Sequence, residues 1–275
     1  MNHFGFVTIN GRKSSSISVF DHGLLYGDGV YDTLRIIDKK AFAFEDHLQR
    51  LFESASALSI KIPYSKNELI NIIKNTFKKS KLKDAFIRII ITRGIGEQGL
   101  ISESIPNVVV IASNRKFKPL EKISLTISEI RRIDKNAVNS KIKTLNYINN
   151  ILAKRKAIDN GFDDAILLNN EGFLTEATTS NLFMVKNGEI ITPSSESGIL
   201  DGITRKIIIQ NFKVNEKLLT VEDLMNAEEV FLSGTADFIT SVNTIDNHNF
   251  SRFDFAEKIL VKLLELSSNS KSLVA

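Results

Sequence analysis

No apolar run in this chain outgrows a β-strand. Stretches such as Ile87 to Ile91 are strand-sized and carry a charge at Arg88, far short of the ~20 residues a membrane helix requires. Between them lie segments with apolar residues at helical spacing, as at Leu48, Leu51, Phe52, Ala55 and Leu58. Strand-like and helix-like segments mix without strict alternation. The expected fold class is therefore α+β, or mixed α/β, in two domains.

Strands are expected at 5–9, 16–20 and 30–37, with a hairpin turn at Asp38-Lys39-Lys40 leading into 41–44. Helices are expected at 46–58 and 66–78, the second capped by Ser65. Strands follow at 85–92 and 107–112. The short basic stretch 114–122 contains Pro119 and reads as a connection between domains. The expected boundaries are 1–115 for an N-terminal α/β domain, 116–122 for the linker and 123–275 for the C-terminal domain. There, strands are expected at 123–130, 164–168, 181–185, 189–191 and 228–233. Helices are expected at 147–160, stopped by Gly161, and at 204–212 and 253–266.

Composition removes several classes of function. The 275 residues include no cysteine, so disulfides, thiolate metal sites and a cysteine nucleophile are excluded. The four histidines (His3, His22, His47, His248) have no ligand spacing, so no metal is expected; His22 and His47 are read as structural. The N-terminus lacks the apolar core of a signal peptide, and a cytoplasmic protein is expected. The formal charge of +4 comes from basic residues interleaved with acidic ones. The cluster Lys78, Lys79, Lys81, Lys83 reads as a solvated turn, and no nucleic-acid partner is expected.

Four separated stretches could carry chemistry. In Ser140-Lys141-Ile142-Lys143-Thr144 two lysines at i and i+2 would share a face if extended. Gly202-Ile203-Thr204-Arg205 opens an apolar helix, whose unsatisfied N–H groups suit phosphate. Ser233-Gly234-Thr235-Ala236 follows a strand and leaves backbone N–H groups open to an anion. Glu176, in Thr175-Glu176-Ala177-Thr178-Thr179-Ser180-Asn181, could face a cation or a protonated ring nitrogen. Each alone has a plainer reading: loop lysines, an ordinary helix start, a tight turn, a surface carboxylate. Together they supply an amine, a carboxylate and a phosphate cup, the parts of a pyridoxal 5'-phosphate (PLP) site.

With those parts the sequence resembles the class IV PLP enzymes, a family that includes branched-chain aminotransferases, D-amino-acid aminotransferases and 4-amino-4-deoxychorismate lyases. Six motifs occur in the family's order: F-D-H-G-L-L-Y-G-D-G-V-Y-D-T-L-R, D-H-L-Q-R-L, K-T-L-N-Y-I-N-N-I-L-A-K, T-E-A-T-T-S-N-L-F, D-G-I-T-R and S-G-T-A. The resemblance spans nearly the whole chain. It implies fold type IV, with a smaller N-terminal α/β domain and a larger C-terminal mixed-sheet or barrel domain that binds PLP. It also implies a homodimer with the active site near the interface.

The resemblance further implies roles. Lys143 matches the Schiff-base lysine and Lys141 does not. Glu176 matches the carboxylate on the pyridine nitrogen, and Arg50 the arginine on the phosphate. Ile203, Thr204 and Thr235 match the rest of the phosphate cup, and Tyr147 the tyrosine aimed at the phenolic oxygen. Tyr26, Tyr31, Thr33, Arg35, Arg88 and Ala236 match substrate-binding positions, with Arg88 the candidate for the carboxylate. Small-molecule amino acids and 2-oxo acids are the implied partners.

The favoured activity is ping-pong amino transfer between an L-amino acid, branched-chain-like, and a 2-oxo acid. Thr33 in place of a glycine polarises the pocket wall and resembles the lyases, which release pyruvate and 4-aminobenzoate; the lyase is the alternative. Gln98 and Leu100 stand where D-amino-acid enzymes carry an R-x-H carboxylate trap, which ranks that activity third. A non-catalytic ligand-binding relative is the reading outside enzymes, and Lys143 with Glu176 argues against it.

Overall fold

The computed structural model describes residues 5–97, 99–101 and 104–273; Gln98, named above, lies outside them. The chain forms two compact units. The first holds residues up to 116, Ile142–Asn146 and the C-terminal segment from Leu266; the second holds Phe117–Lys141 and Tyr147–Glu265. Two segments that the sequence assigned to the C-terminal domain thus group with the first unit, because backbone bonds tie them there. Tyr31 N–H donates to the Lys143 carbonyl at 3.0 Å, and Leu273 N–H to that of Lys39 at 2.8 Å.

The first unit is an antiparallel sheet of β1 (Phe6–Ile9), β2 (Arg12–Lys13), β3 (Gly29–Ile37), β4 (Lys40–Ala41), β5 (Ala85–Ile95) and β6 (Ile105–Ser113). The spatial order is β2-β1-β6-β5-β3-β4. Alternation along β3 sends Val30, Leu34 and Ile36 into a core shared with Leu48 and Leu51 of α2 (Phe44–Ala57) and Leu69, Ile73 and Phe77 of α3 (Lys66–Ser80). Each fully buried aliphatic side chain contributes roughly 1.5–3 kcal/mol. Ser65 and Glu68 form a reciprocal capping box that starts α3. The two-residue turn between β3 and β4 has positive φ at both Asp38 (48°) and Lys39 (61°), the type I′ pattern whose twist suits a hairpin. The strand expected over 41–44 shrinks to Lys40–Ala41, since α2 begins at Phe44.

The strand expected at 16–20 is absent. Serine side chains there bond their own backbone: Ser14 Oγ accepts from Ser16 N–H and Ser18 Oγ from Phe20 N–H. Such local bonds compete with a ladder. Buried Asp21 then fixes the start of the short helix α1 (His22–Tyr26). It accepts from Gly23 N–H, Thr92 Oγ1 and Asn107 Nδ2.

The second unit closes on itself. Its strands are β7 (Lys122–Ile127), β8 (Asp164–Leu168), β9 (Leu174–Ala177), β10 (Asn181–Lys186), β11 (Glu189–Pro193), β12 (Val214–Lys217), β13 (Glu229–Gly234), β14 (Phe238–Ile245) and β15 (His248–Asn249). The path β10-β13-β14-β7-β8-β9 returns to β10 through Asn181 opposite Glu176, which makes a closed barrel of these six strands. Strands β11 and β12 extend from the far end of β10. Leu125, Ile166, Leu182, Met184, Leu232 and Val242 fill the interior cluster, as a small barrel requires. β7 and β8 are parallel, and α4 (Ile148–Asp159) lies between them in sequence. Ala153 and Ala157 of α4 pack on Ala165 and Leu167 of β8, small residues that allow close approach. The unit also contains α5 (Ile203–Asn211), α6 (Val221–Met225) and most of α7 (Asp254–Ser268). Among the described residues no helix is long and apolar enough to cross a membrane.

Candidate active site

In the first unit, side chains on β3 that turn away from the helices are Tyr31, Thr33 and Arg35; their partners on β5 are Ile90, Arg88 and Phe86. Alternation alone therefore gathers four of the expected substrate residues on one sheet face. Arg88 is exposed, and among the described residues it has no carboxylate partner. Its Cζ lies 5.2 Å from the centroid of Tyr31. Thr33 is buried. Arg35 is wholly buried, donates from Nη1 to the Arg115 carbonyl at 2.9 Å and stacks on Phe86. Tyr26 ends α1 partly exposed, its ring edge-on to His22, and its hydroxyl accepts from Gly99 N–H.

Lys143 approaches the same ring. Its Nζ lies 4.6 Å from the Tyr31 centroid, within cation–π range. The backbone around it is pinned: Lys143 N–H donates to Ser54 Oγ at 3.2 Å, and Leu145 N–H to the Gly29 carbonyl at 3.0 Å. The segment is not the extended strand assumed from the i, i+2 lysines. It turns at 140–141, which leaves Lys141 exposed and Lys143 partly buried.

Arg50, on α2, has two nitrogens committed to Asp32: Nε to Oδ2 at 2.8 Å and Nη2 to Oδ1 at 2.8 Å. His47 Nδ1 lies 2.8 Å from Asp32 Oδ1, and Thr33 N–H donates to the same oxygen. Burial would raise the Asp32 pKa, but Arg50 and His47 outweigh it and hold the carboxyl well below the usual range. His47 is pushed the other way from most paired histidines. Burial lowers its pKa more than Asp32 raises it, and the cations Arg50 and Lys143 add to the lowering. Sequence reading missed Asp32 and took His47 as structural. The signal was their place inside Y-D-T-L-R and D-H-L-Q-R-L.

In the second unit, Glu176 is the last residue but one of β9, beside the tight turn 178–180, closed by Ala177 N–H to the Ser180 carbonyl. It is buried but supplied with donors. Asn181 Nδ2 is 3.0 Å and Leu200 N–H 3.2 Å from Oε2, and Arg132 forms an ion pair with Oε1, its Nε at 3.0 Å but not aligned for a hydrogen bond. Arg132 escaped the sequence reading, because 44 positions separate it from Glu176 in the numbering; Asn181 was named in the same stretch as Glu176 but given no role. The turn is tied further by Asn150 Nδ2 to the Thr178 carbonyl and Thr178 Oγ1 to Asp164. Tyr147 is half-buried at the start of α4, and lines a groove of about 620 Å³ together with Asn150, Ile151, Lys154, Arg155 and Thr178.

Ile203 and Thr204 are the first residues of α5, whose N-cap Gly202 offers no side-chain cap. Their N–H groups are the orphan donors of a helix start. Thr204 Oγ1 and Ser233 Oγ are buried and have no hydrogen-bond partner. Buried hydroxyls are seldom left so; that of Thr204, at a helix N-terminus, fits an anion such as a phosphate, and that of Ser233 lies near the end of β13. Thr235 and Ala236 sit half-buried in the turn between β13 and β14. Among the described residues no cluster of three or more His, Cys, Asp or Glu could hold a metal ion.

Comparison with known proteins adds a second line. The model of the family described as amino-transferase class IV matches residues 29–245. A putative branched-chain-amino-acid aminotransferase of Methanocaldococcus jannaschii is 39% identical over 252 residues, 87% of this chain and 88% of its own length. An aminodeoxychorismate lyase of Bacillus subtilis is 31% identical over 259 residues, 90% of this chain and 89% of its own. Among solved structures, the branched-chain aminotransferase of the thermophilic archaeon Thermoproteus uzoniensis, crystallised with norvaline, superposes with a TM-score of 0.90 at 29% identity, covering 98% of this chain and 97% of that one.

Proposed function

The chain belongs to the class IV aminotransferase family, and from that premise we propose that it moves an amino group between an L-amino acid and a 2-oxo acid. The family is PLP-dependent, and the fold is the mixed α+β arrangement of its solved members. The observation that carries the reading is an amine and a guanidinium over one ring: Lys143 Nζ and Arg88 Cζ stand 4.6 and 5.2 Å from the Tyr31 centroid. An α-amino acid needs a proton acceptor near Cα and a cation for its carboxylate.

The remaining residues take the following parts in this proposal. When bound, the cofactor supplies an electron sink that weakens the bonds to Cα. Lys143 would hold the group, and its amine would carry the proton taken from the substrate Cα. Glu176, beside Arg132, Asn181 and Leu200, would face the pyridine nitrogen and favour a proton there. Arg50 and the N–H groups of Ile203, Thr204 and Thr235 would hold the phosphate, and Tyr147 would serve the phenolic oxygen. Arg88 takes the substrate carboxylate, and Tyr31, Thr33, Arg35 and Ala236 shape the substrate position. A homodimer completed by Tyr26 of a second copy is supported by exposed apolar residues, Leu24 and Leu25 on α1 and Ile148, Ile151 and Leu152 on α4.

One observation favours the lyase as a second reading: Thr33 is buried directly opposite Arg88 in the strand register, a hydroxyl where a purely aliphatic substrate needs none. The test is a visible spectrum of the protein mixed with PLP, before and after L-leucine, L-glutamate, D-alanine or aminodeoxychorismate. The expected result is an absorbance band that Lys143→Ala abolishes and that L-leucine or L-glutamate converts. Conversion by aminodeoxychorismate alone, with pyruvate released, would assign the lyase. Absence of any band would end the PLP reading.

A further inference from the structure

On α2, His47, Arg50 and Ser54 recur at i, i+3 and i+7, so they share one face. That face serves three groups of the first unit at once. His47 and Arg50 both bind Asp32, and Ser54 Oγ receives the backbone N–H of Lys143. Asp32 occupies a core position of β3, between Val30 and Leu34, and is fully buried. An acid there carries a large desolvation cost, and a buried ion pair is weak evidence for added stability.

For packing alone, histidine is a poor occupant of position 47. It is fully buried, and its Nε2 has no partner. A carboxylate only accepts, so Nδ1 must carry the proton toward Asp32 and Nε2 must be bare. The value of the residue lies in the Nδ1–H. Of the three guanidinium nitrogens of Arg50, Nε and Nη2 are bound to Asp32, which fixes the plane of the group and the direction of the third. Beside Arg50, the Thr33 N–H and His47 Nδ1–H both donate to Asp32 Oδ1, and His47 is the side chain that completes the set holding the carboxylate about its Cβ–Cγ bond.

We propose that Asp32 and His47 are positioning residues: through the chain His47 Nδ1–H, Asp32 and Arg50 they hold the guanidinium in the orientation that binds the cofactor phosphate. This rests on the PLP reading above. The burial that keeps His47 neutral preserves the arrangement across neutral pH, with the imidazole a donor through Nδ1 alone.

The test uses the full-length apoprotein and its variants, titrated with PLP by visible absorbance, with inorganic phosphate as competitor. Urea midpoints of the apo forms report folding. His47→Asn places an amide donor where Nδ1 stands, whereas His47→Gln reaches the Nε2 position and His47→Phe keeps only the shape. The expected result is a PLP Kd within about threefold of wild type for His47→Asn. His47→Phe and His47→Gln should weaken it by about tenfold or more, the scale on which partners outside a binding shell act. Inorganic phosphate should weaken in step. Asp32→Asn should weaken both at least as much. If the variants lower the urea midpoint but bind PLP as wild type does, or if Gln restores binding and Asn does not, the proposal is overturned. A wild-type protein that gives no band with PLP would instead overturn the PLP reading, and this proposal with it.

Discussion

Replacing Arg132 by methionine tests how the second unit accommodates Glu176 in a buried position. Arg132 Nε stands 3.0 Å from Glu176 Oε1, with side-chain exposures of 14% and 8%. At that separation and an effective permittivity of about 20 the attraction is about 5.5 kcal/mol before desolvation is counted. Removing one partner of a buried pair costs about 3–5 kcal/mol, since the other charge stays behind. Asn181 and the Leu200 N–H still serve Oε2, which places Arg132→Met near the low end, at about 3 kcal/mol. Urea denaturation measures this as a lower midpoint at unchanged slope. The double variant Arg132→Met/Glu176→Gln should recover more than half of the loss, because no charge is then stranded. A loss under about 1 kcal/mol, or a double variant no better than the single, would refute the argument that Arg132 pairs with this carboxylate.

Lys39 adopts φ 61° in the type I′ turn, a conformation that costs a non-glycine residue about 1–2 kcal/mol. Glycine returns about 0.5–1 kcal/mol as unfolded-state entropy. Lys39→Gly should therefore raise stability by up to about 1 kcal/mol in thermal or urea melts; a decrease would contradict the turn assignment. His47 has a lowered folded pKa, caused first by burial, so its contribution is present above about pH 6.5 and is lost as pH falls below it. Wild-type stability should decline between pH 6.5 and 5 with a slope of up to about 1.4 kcal/mol per unit from this group, and His47→Phe should show a flatter profile; equal slopes would exclude His47 as the source.

Local patterning alone specified much of the chain. Helical spacing gave α2, the Ser65 cap marked where α3 begins, and β-rich, apolar composition gave β3 and β5. Once β3 and β5 are strands, Tyr31, Thr33 and Arg35 must share a face. The ordered motifs also carried the family, since they record residue types that one chemistry requires. Pairing between distant segments was not legible. Nothing local says that Thr144 bridges to Val30, that one contact between Asn181 and Glu176 closes a barrel, or that Asp32 at a core position is neutralised from α2. The strand expected at 16–20 failed for the same reason in reverse: its alternation had no neighbouring strand to meet, and serine side chains satisfied the backbone instead. Periodicity reports which residues are to be buried. Which carboxylate meets which cation depends on the path of the chain through space, and only the tertiary structure decides that.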